Sequence, residues 1–244
     1  MKLRLMTYNV HRCVGVDKDL NVERVAAVIA DARPDIVALQ ELDVGRMRTR
    51  GVDQAHALAE LLGMRSRFHP AMHVEEEQYG DAILTALPER LVRAGSLPGY
   101  PRMRGLEPRG AIWVAVDVGG GVELQVINTH LGLVPREQRL QARALAGADW
   151  LGACSGPTLL AGDFNVTSLT QPYRTLCGRL ADAQRKAGQR PTIKTFPSGF
   201  PAIRIDHCFV SEAIIPTRVQ TTFSPLARAA SDHLPLVVDF EIRA

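Results

Sequence analysis

Cysteine is scarce. Only Cys13, Cys154, Cys177 and Cys208 occur, far apart and without a C-x-x-C pair. That excludes a disulfide scaffold and a thiolate metal framework, and it fits free thiols in a reducing compartment. No uninterrupted apolar run approaches the ~18 residues of a membrane-spanning helix, and no amphipathic membrane-docking helix stands out. Residue 3 already begins an apolar alternation, so no signal peptide is expected ahead of the fold. Charge of one sign is missing as well: 29 basic residues face 26 acidic ones, a net +3 that does not by itself identify a polyanionic partner. There is no G-x-S-x-G elbow and no P-loop, and the glycines at 119–121 read as a turn. Ser-His-Asp hydrolysis and P-loop nucleotide chemistry are thereby disfavoured. The expectation is a cytoplasmic, monomeric protein with no stable membrane insertion.

The 244 residues are 46% hydrophobic, enough for one sizeable core, and no linker or low-complexity segment divides them. One domain spanning 1–244 is expected. "KLRLMTYNV" alternates like a strand. "NVERVAAVIADARP" places Val22, Val25, Ala26 and Ile29 at helical spacing, with Asn21 as a cap and Pro34 as a stop. "DIVALQE" is a strand buried on both faces, ending at Glu41. A helix from Asp53 to Gly63 follows. "DAILTAL", "GAIWVAVDV" and "VELQVINTHL" read as strands, the last two joined in a hairpin. "PREQRLQARALAGADWL" predicts a helix with Pro135 in its first turn. "TLLAGDFN" is another buried strand. A polar helix and a Pro/Gly-rich loop occupy 170–200, and "AIRIDHCFVS", a segment around "TRVQTTF" and "PLVVDFEI" close the chain. The unit "LMTYN", helix, "IVALQE" is echoed by "LQVINTH", helix, "LLAGDFN". Asn9 to Glu41 spans 32 positions and His130 to Asp163 spans 33. A duplicated architecture of this kind would bring polar strand ends to one shared rim.

The polar residues at those strand ends carry the chemistry. Asn9, Glu41, Asp163, Asn165 and Asp232 supply hard oxygens, which suit Mg²⁺ or Mn²⁺. Glu41 is the strongest ligand candidate, because it ends a wholly apolar run. His130 closes a strand. Asp232 and His233 immediately precede a buried strand, and Asp206 lies within another. An Asp–His pair orients an imidazole and raises its pKa. His11, His56, His69, His73 and His207 are read as surface or satisfied core groups, although His11 lies close to Asn9.

In this order, "TYNVH", "LQELD", "EPRGAIWVAV", "NTHLG", "LAGDFN", "RIDHCFV" and "SDHLPLVV" resemble the endonuclease/exonuclease/phosphatase (DNase I-like) superfamily over residues 7–238. The resemblance implies an α/β fold, a four-layer α/β/β/α sandwich of two mixed sheets faced by helices, with the site at one edge. It implies a metal-dependent phosphoesterase, Mg²⁺ or Mn²⁺ as cofactor, and a phosphate ester as substrate. Glu41 would be the main metal ligand, with Asn9 beside it and Asp232 a nearby acid. Asp163 and Asn165 would orient water and a phosphate oxygen. His130 and His233 would bracket the phosphate, Asp206 would pair with His233, and Arg109 would contact the phosphate. Either Asp163 or the Asp206–His233 pair could be the base. The chain departs from the pattern at "GDAIL", where many relatives have asparagine, and Asp81 is expected to hydrogen-bond His130, making a second Asp–His pair.

Substrate choice stays open at this level. Arg46, Arg48 and Arg50, with Arg102, Arg104 and Arg109, form two loop clusters that could follow a nucleic acid backbone. Against a long polyanion stand an aromatic content of 5% and the acidic "VEEEQYG". A small phosphodiester, a lipid headgroup or an inositol phosphate fits as well. The alternatives are a nuclease acting on DNA or RNA and a non-catalytic phosphate-binding module.

Overall fold

The computed structural model describes residues 1–100, 103 and 105–243. Its first half runs β1 (Lys2–Asn9), α1 (Val22–Ala32), β2 (Ile36–Val44), α2 (Gln54–Leu62), β3 (Arg65–Val74), β4 (Glu77–Thr85), β5 (Glu89–Ser96) and β6 (Gly110–Asp117). The second half runs β7 (Glu123–His130), α3 (Pro135–Ala146), β8 (Thr158–Asp163), α4 (Gln171–Cys177), β9 (Ala181–Asp182) and α5 (Ala183–Lys186). It closes with β10 (Asp206–Val210), β11 (Ile214–Thr221), α6 (Pro225–Ala230) and β12 (Leu236–Ile242).

The strands form two six-stranded sheets, ordered β11-β12-β1-β2-β4-β3 and β5-β6-β7-β8-β10-β9. Each sheet is antiparallel except for one central parallel pair, β1 with β2 and β7 with β8. A parallel pair needs a crossover, and α1 and α3 supply it. The echo between the two halves of the sequence is therefore an echo in topology. Both units direct their strand ends to one rim of the sandwich.

Three apolar clusters separate four layers. Between the sheets lie Leu5, Ile36, Ala38 and Ile83 from one side and Ile112, Val114, Val126 and Leu159 from the other. Val25 and Ile29 of α1 pack with Met6, Tyr8 and Leu39 on the outer face of the first sheet. Leu145 of α3 and Leu176 of α4 pack with Trp113, Ile127 and Phe209 outside the second. A residue buried on either face of a central strand has no solvent side, which is why "IVAL" and "TLLA" carry no polar alternation. Burying each such Leu, Ile or Val side chain is worth about 1.5–3 kcal/mol.

The helix ends follow their sequence signals. The Asn21 side chain accepts from the Arg24 backbone N–H at 2.8 Å, Asp53 accepts from the His56 N–H at 2.9 Å, and Gly63 closes α2 at φ +64°. One boundary is corrected. α3 stops at Ala146 and does not run to Leu151, because the chain turns at Gly147. β10 begins at Asp206, so that acid lies in the strand as expected, at its first position.

Polar groups also cross between the sheets beneath the rim. Gln40 Nε2 donates to Asn128 Oδ1 at 2.7 Å, and Asn128 Nδ2 donates to the carbonyls of Leu39 and Ala82 at 2.8 and 2.9 Å. These fully buried amides fix how the two sheets register, because any slip would leave them unpaired in an apolar layer.

Candidate active site

Two backbone irregularities aim side chains into the rim. β2 pairs regularly with β4 up to Leu39↔Ala82, then shifts register before Leu42↔Gly80. Gln40 and Glu41 thus oppose the single residue Asp81, and Glu41 sits at φ +61°. A β-bulge re-aims its side chain; here it turns the Glu41 carboxylate toward the cleft. The second irregularity precedes Asp163. Gly162 has φ +150°, and a Cβ there would lie 1.9 Å from the Thr129 carbonyl oxygen, so β7 and β8 approach too closely for any side chain. Asn165 follows at φ +51°, its N–H bonded to Asp163 Oδ1 at 2.9 Å.

The rim holds a cleft of about 590 Å³. Glu41, Asp163, Asn165, Asp232, His130, His233 and Arg109 all line it. At its base, one oxygen gathers groups from both sheets. Asp163 Oδ2 lies 3.0 Å from Asn9 Nδ2, 3.4 Å from His130 Nε2 and 3.6 Å from His233 Nε2. Asn9 Nδ2 also donates to Glu41 Oε1 at 2.9 Å, tying the bulge of one sheet to the strand end of the other. Asp206 faces Asp163 across β8 and β10, and its Oδ2 accepts from Thr195 Oγ1 and lies 2.9 Å from His233 Nδ1.

Electrostatics separate the two histidines. Burial lowers the pKa of His233, but the carboxylates of Asp206, Asp163 and Asp232 outweigh it and raise the group to about 10. Burial, Arg109 and His233 together push His130 well below the ordinary imidazole value. Burial raises Asp163, and the adjacent Asp206 raises it further.

Asp81 does not pair with His130. The imidazole instead meets Arg109 at Nδ1, 3.0 Å away, and Asn165 Nδ2 at Nε2, also 3.0 Å. Asp81 sits opposite the bulge, beside Glu41. Burial raises its pKa to about 8. His11, set aside in the sequence, lines the cleft: its backbone N–H donates to Asn9 Oδ1 at 3.0 Å. Proximity to Asn9 was the available signal. Arg12, Tyr79 and Phe196 also line the cleft, with no periodic pattern to announce them. Of the arginine clusters, Arg46, Arg48 and Arg109 line the cleft and Arg50 faces a groove beside α1 and α2. Arg102 and Arg104 lie outside the described residues. Glu77 of "VEEEQYG" pairs with Arg46 at 3.2 Å, which removes part of the acidity expected at the rim.

The donors present fit a divalent cation. Among the described ion pairs none holds Glu41 or Asp232, and Glu41 shares a single amide donor with Asp163. Carboxylates crowded around a cleft without a basic partner are stabilised by a hard cation. Asp163, Asp206 and His233 also offer ligand atoms within 4.8 Å of one another. There, Asp206 Oδ2 is committed to Thr195 and His233, Asp206 Oδ1 is buried without a partner, and His233 Nε2 stands 3.6 Å from Asp163, so the trio is an Asp206–His233 relay set beside Asp163.

A family model described as Endonuclease/Exonuclease/phosphatase family matches residues 6–233. The chain belongs to that family. It is 26% identical to the Escherichia coli protein YbhP over 98% of this chain and 96% of that one. Among solved structures, an endonuclease/exonuclease/phosphatase from Beutenbergia cavernae superposes with a TM-score of 0.77 at 25% identity, covering 100% of this chain and 72% of the other. A mannosyl-6-phosphatase from Bacteroides thetaiotaomicron superposes with a TM-score of 0.71 at 21% identity, covering 98% and 100%, a likeness of fold. The family's four-layer sandwich is the architecture described above. No described helix is long and apolar enough to cross a membrane.

Proposed function

We propose that the protein hydrolyses a phosphate ester, a phosphodiester or phosphomonoester, by in-line attack of water with Mg²⁺ or Mn²⁺ bound. The observation that supports this reading best is the convergence on Asp163 Oδ2 of an amide and two imidazoles drawn from three separate strand ends and loops. An anionic phosphorus resists water until its oxygens are neutralised and a base is in place. Glu41, Asp232 and Asn9 are the residues that would hold the ion, which when bound draws charge from the phosphate and its leaving oxygen.

The remaining roles fall to the chain itself. Asp163, held through Oδ1 by the Asn165 N–H, orients the attacking water and accepts its proton. The Asp206–His233 pair presents a cationic imidazole to the phosphate from one side. His130 and Asn165 meet it from the other as neutral hydrogen-bonding groups. Arg109, buried beside His130, adds a fixed positive charge.

A panel tests the reading: bis-p-nitrophenyl phosphate, p-nitrophenyl phosphate, plasmid DNA, single-stranded RNA, phospholipid and inositol phosphates, each with Mg²⁺ and with EDTA. The expected result is cleavage of at least one ester that EDTA abolishes. Failure on every ester, or cleavage indifferent to EDTA, overturns the reading; phosphate binding without turnover would make the protein a binding module.

A further inference from the structure

We propose that Arg12 forms a second anion subsite, so that the substrate carries a further phosphate beside the ester that is cut. The proposal rests on the phosphoesterase reading above and names the substrate class for that site.

Three arginines line the wall of the cleft that follows β1 and β2: Arg12, Arg46 and Arg48. Two of them are already neutralised. Arg48 grips buried Asp43 through two nitrogens, each at 2.7 Å, and Arg46 donates to Glu77 at 3.2 Å. Among the described ion pairs none involves Arg12. One terminal nitrogen lies 2.6 Å from His11 Nε2, while its Nε is buried with no partner. The His11 ring is fixed from its other side, with Nδ1 3.1 Å from the Val14 carbonyl oxygen. A carbonyl only accepts, so Nδ1 carries the proton and Nε2 accepts from Arg12. That imidazole orients the guanidinium and brings it no negative charge.

The backbone beneath Arg12 is unusual too. His11, Arg12 and Cys13 hold φ of 45°, 58° and 55°, three successive non-glycine residues in the left-handed region. Such a turn persists only when its surroundings over-determine it. Here Gln54 Nε2 donates to the Arg12 carbonyl at 2.6 Å, and Gln54 Oε1 accepts from the Asp43 N–H at 2.9 Å. One side chain thus fastens the Arg12 turn to the strand residue that holds Arg48. A strained turn that presents an uncompensated, half-satisfied guanidinium to a cleft is built for an anion.

Arg109 stands beside His130 and pairs with Glu107 at 3.3 Å, so the scissile phosphate has a separate arginine and Arg12 is the cleft guanidinium without a carboxylate among the described ion pairs. A guanidinium fork matches the spacing of phosphate oxygens. A substrate with a second phosphate on the β1–β2 side satisfies Arg12. One with a choline-like cation there is repelled. That second phosphate belongs either to a nucleotide chain or to a phosphorylated sugar or polyol, and the two arms below separate them.

The experiment compares substrates that differ by one phosphate. One pair is a thymidine dinucleotide with and without a terminal 5′-phosphate; the other is glucose 1,6-bisphosphate and glucose 6-phosphate. Values of kcat/KM are measured with Mg²⁺ for the parent protein, Arg12→Gln and Arg12→Lys, with melting curves to verify folding. The parent is expected to favour the more phosphorylated member of one pair by about tenfold or more; the pair that responds identifies the source. Arg12→Gln removes that preference and Arg12→Lys keeps part of it. Calorimetric titration with inorganic pyrophosphate gives a readout without turnover, and Arg12→Gln is expected to weaken it more than orthophosphate binding. Equal loss on both members of a pair, or a parent with no preference in either, overturns the subsite. Loss of cleavage on every substrate while pyrophosphate binding still depends on Arg12 overturns the hydrolytic reading and leaves the subsite standing.

Discussion

The Arg109 guanidinium lies 3.0 Å from Nδ1 of His130 and holds that ring neutral. A guanidinium only donates, so it is partnered only where Nδ1 keeps its lone pair. The Asn165 amide nitrogen, also a donor, lies 3.0 Å from Nε2. Donors therefore face both ring nitrogens, and a second proton on the ring would leave it no acceptor for either. His130 is thereby the neutral imidazole of the site, and the charged one is His233.

Long-range ¹H–¹⁵N correlation spectra test this pairing. They are expected to show His130 as a neutral imidazole with no titration near the usual value of about 6.5. The sign follows from linkage: a histidine whose folded pKa is lowered costs stability as pH falls through its unfolded value. Arg109→Glu replaces the donor at Nδ1 with an acceptor and brings the titration up. A parent protein whose His130 titrates near 6.5 would contradict the assignment.

Glu41 is predicted to trade stability for ion binding. Removing its charge relieves the crowding with Asp163, so Glu41→Gln should melt no lower than the parent in EDTA. Mg²⁺ should raise the melting temperature of the parent by mass action and leave the variant unmoved. Equal Mg²⁺ shifts in both proteins would place the ion elsewhere.

Asp206 keeps the charged His233 compensated in a buried setting, 1% and 4% exposed respectively. Removing one member of a buried charged pair costs about 3–5 kcal/mol. Asp206→Ala is therefore expected to lose stability of that order in urea unfolding, and about 10²–10⁴-fold in turnover through misplacement of the imidazole. A stable variant with parental turnover would remove the relay from the account.

Much of this site was legible because strand ends announce themselves. The runs "LMTYN", "IVALQE", "INTH" and "LLAGDFN" each close a buried strand segment on polar residues, and Glu41, His130, Asp163 and Asn165 from them line the cleft. β3 and β5 were missed for the converse reason. Both lie at sheet edges, and β5 buries no residue fully, so neither has an apolar face to give a period. The bulge at Glu41 and the turn at Arg12 left no trace either, since a positive φ is signalled by glycine and neither is one. Asp81 misled for the same reason: its place opposite the bulge depends on a register shift that no local pattern encodes.

Behind the site, Asp182 anchors a second buried network. It accepts from Arg204 and from Tyr173 Oη at 2.9 Å, and His207 Nδ1 stands 3.8 Å away, while the far nitrogen of that ring lies 2.8 Å from the Val166 carbonyl oxygen. Burial alone would push the Asp182 carboxyl up; His207 and Arg204 hold it well below the usual range. A depressed carboxyl contributes stability above its unfolded pKa of about 3.9, lost as pH falls through the folded value. Urea unfolding of Asp182→Asn should show a deficit at pH 7 that narrows under acid. A deficit independent of pH would mean that packing, not charge, is what Asp182 provides.

Anomalous scattering from crystals soaked in Mn²⁺ with a phosphate analogue tests the central claim most directly. A manganese peak at about 2.1 Å from a Glu41 carboxylate oxygen, with the analogue between His130 and His233, is the predicted result. A peak confined to the Asp163–Asp206–His233 relay, or an analogue bound away from both histidines, would contradict it.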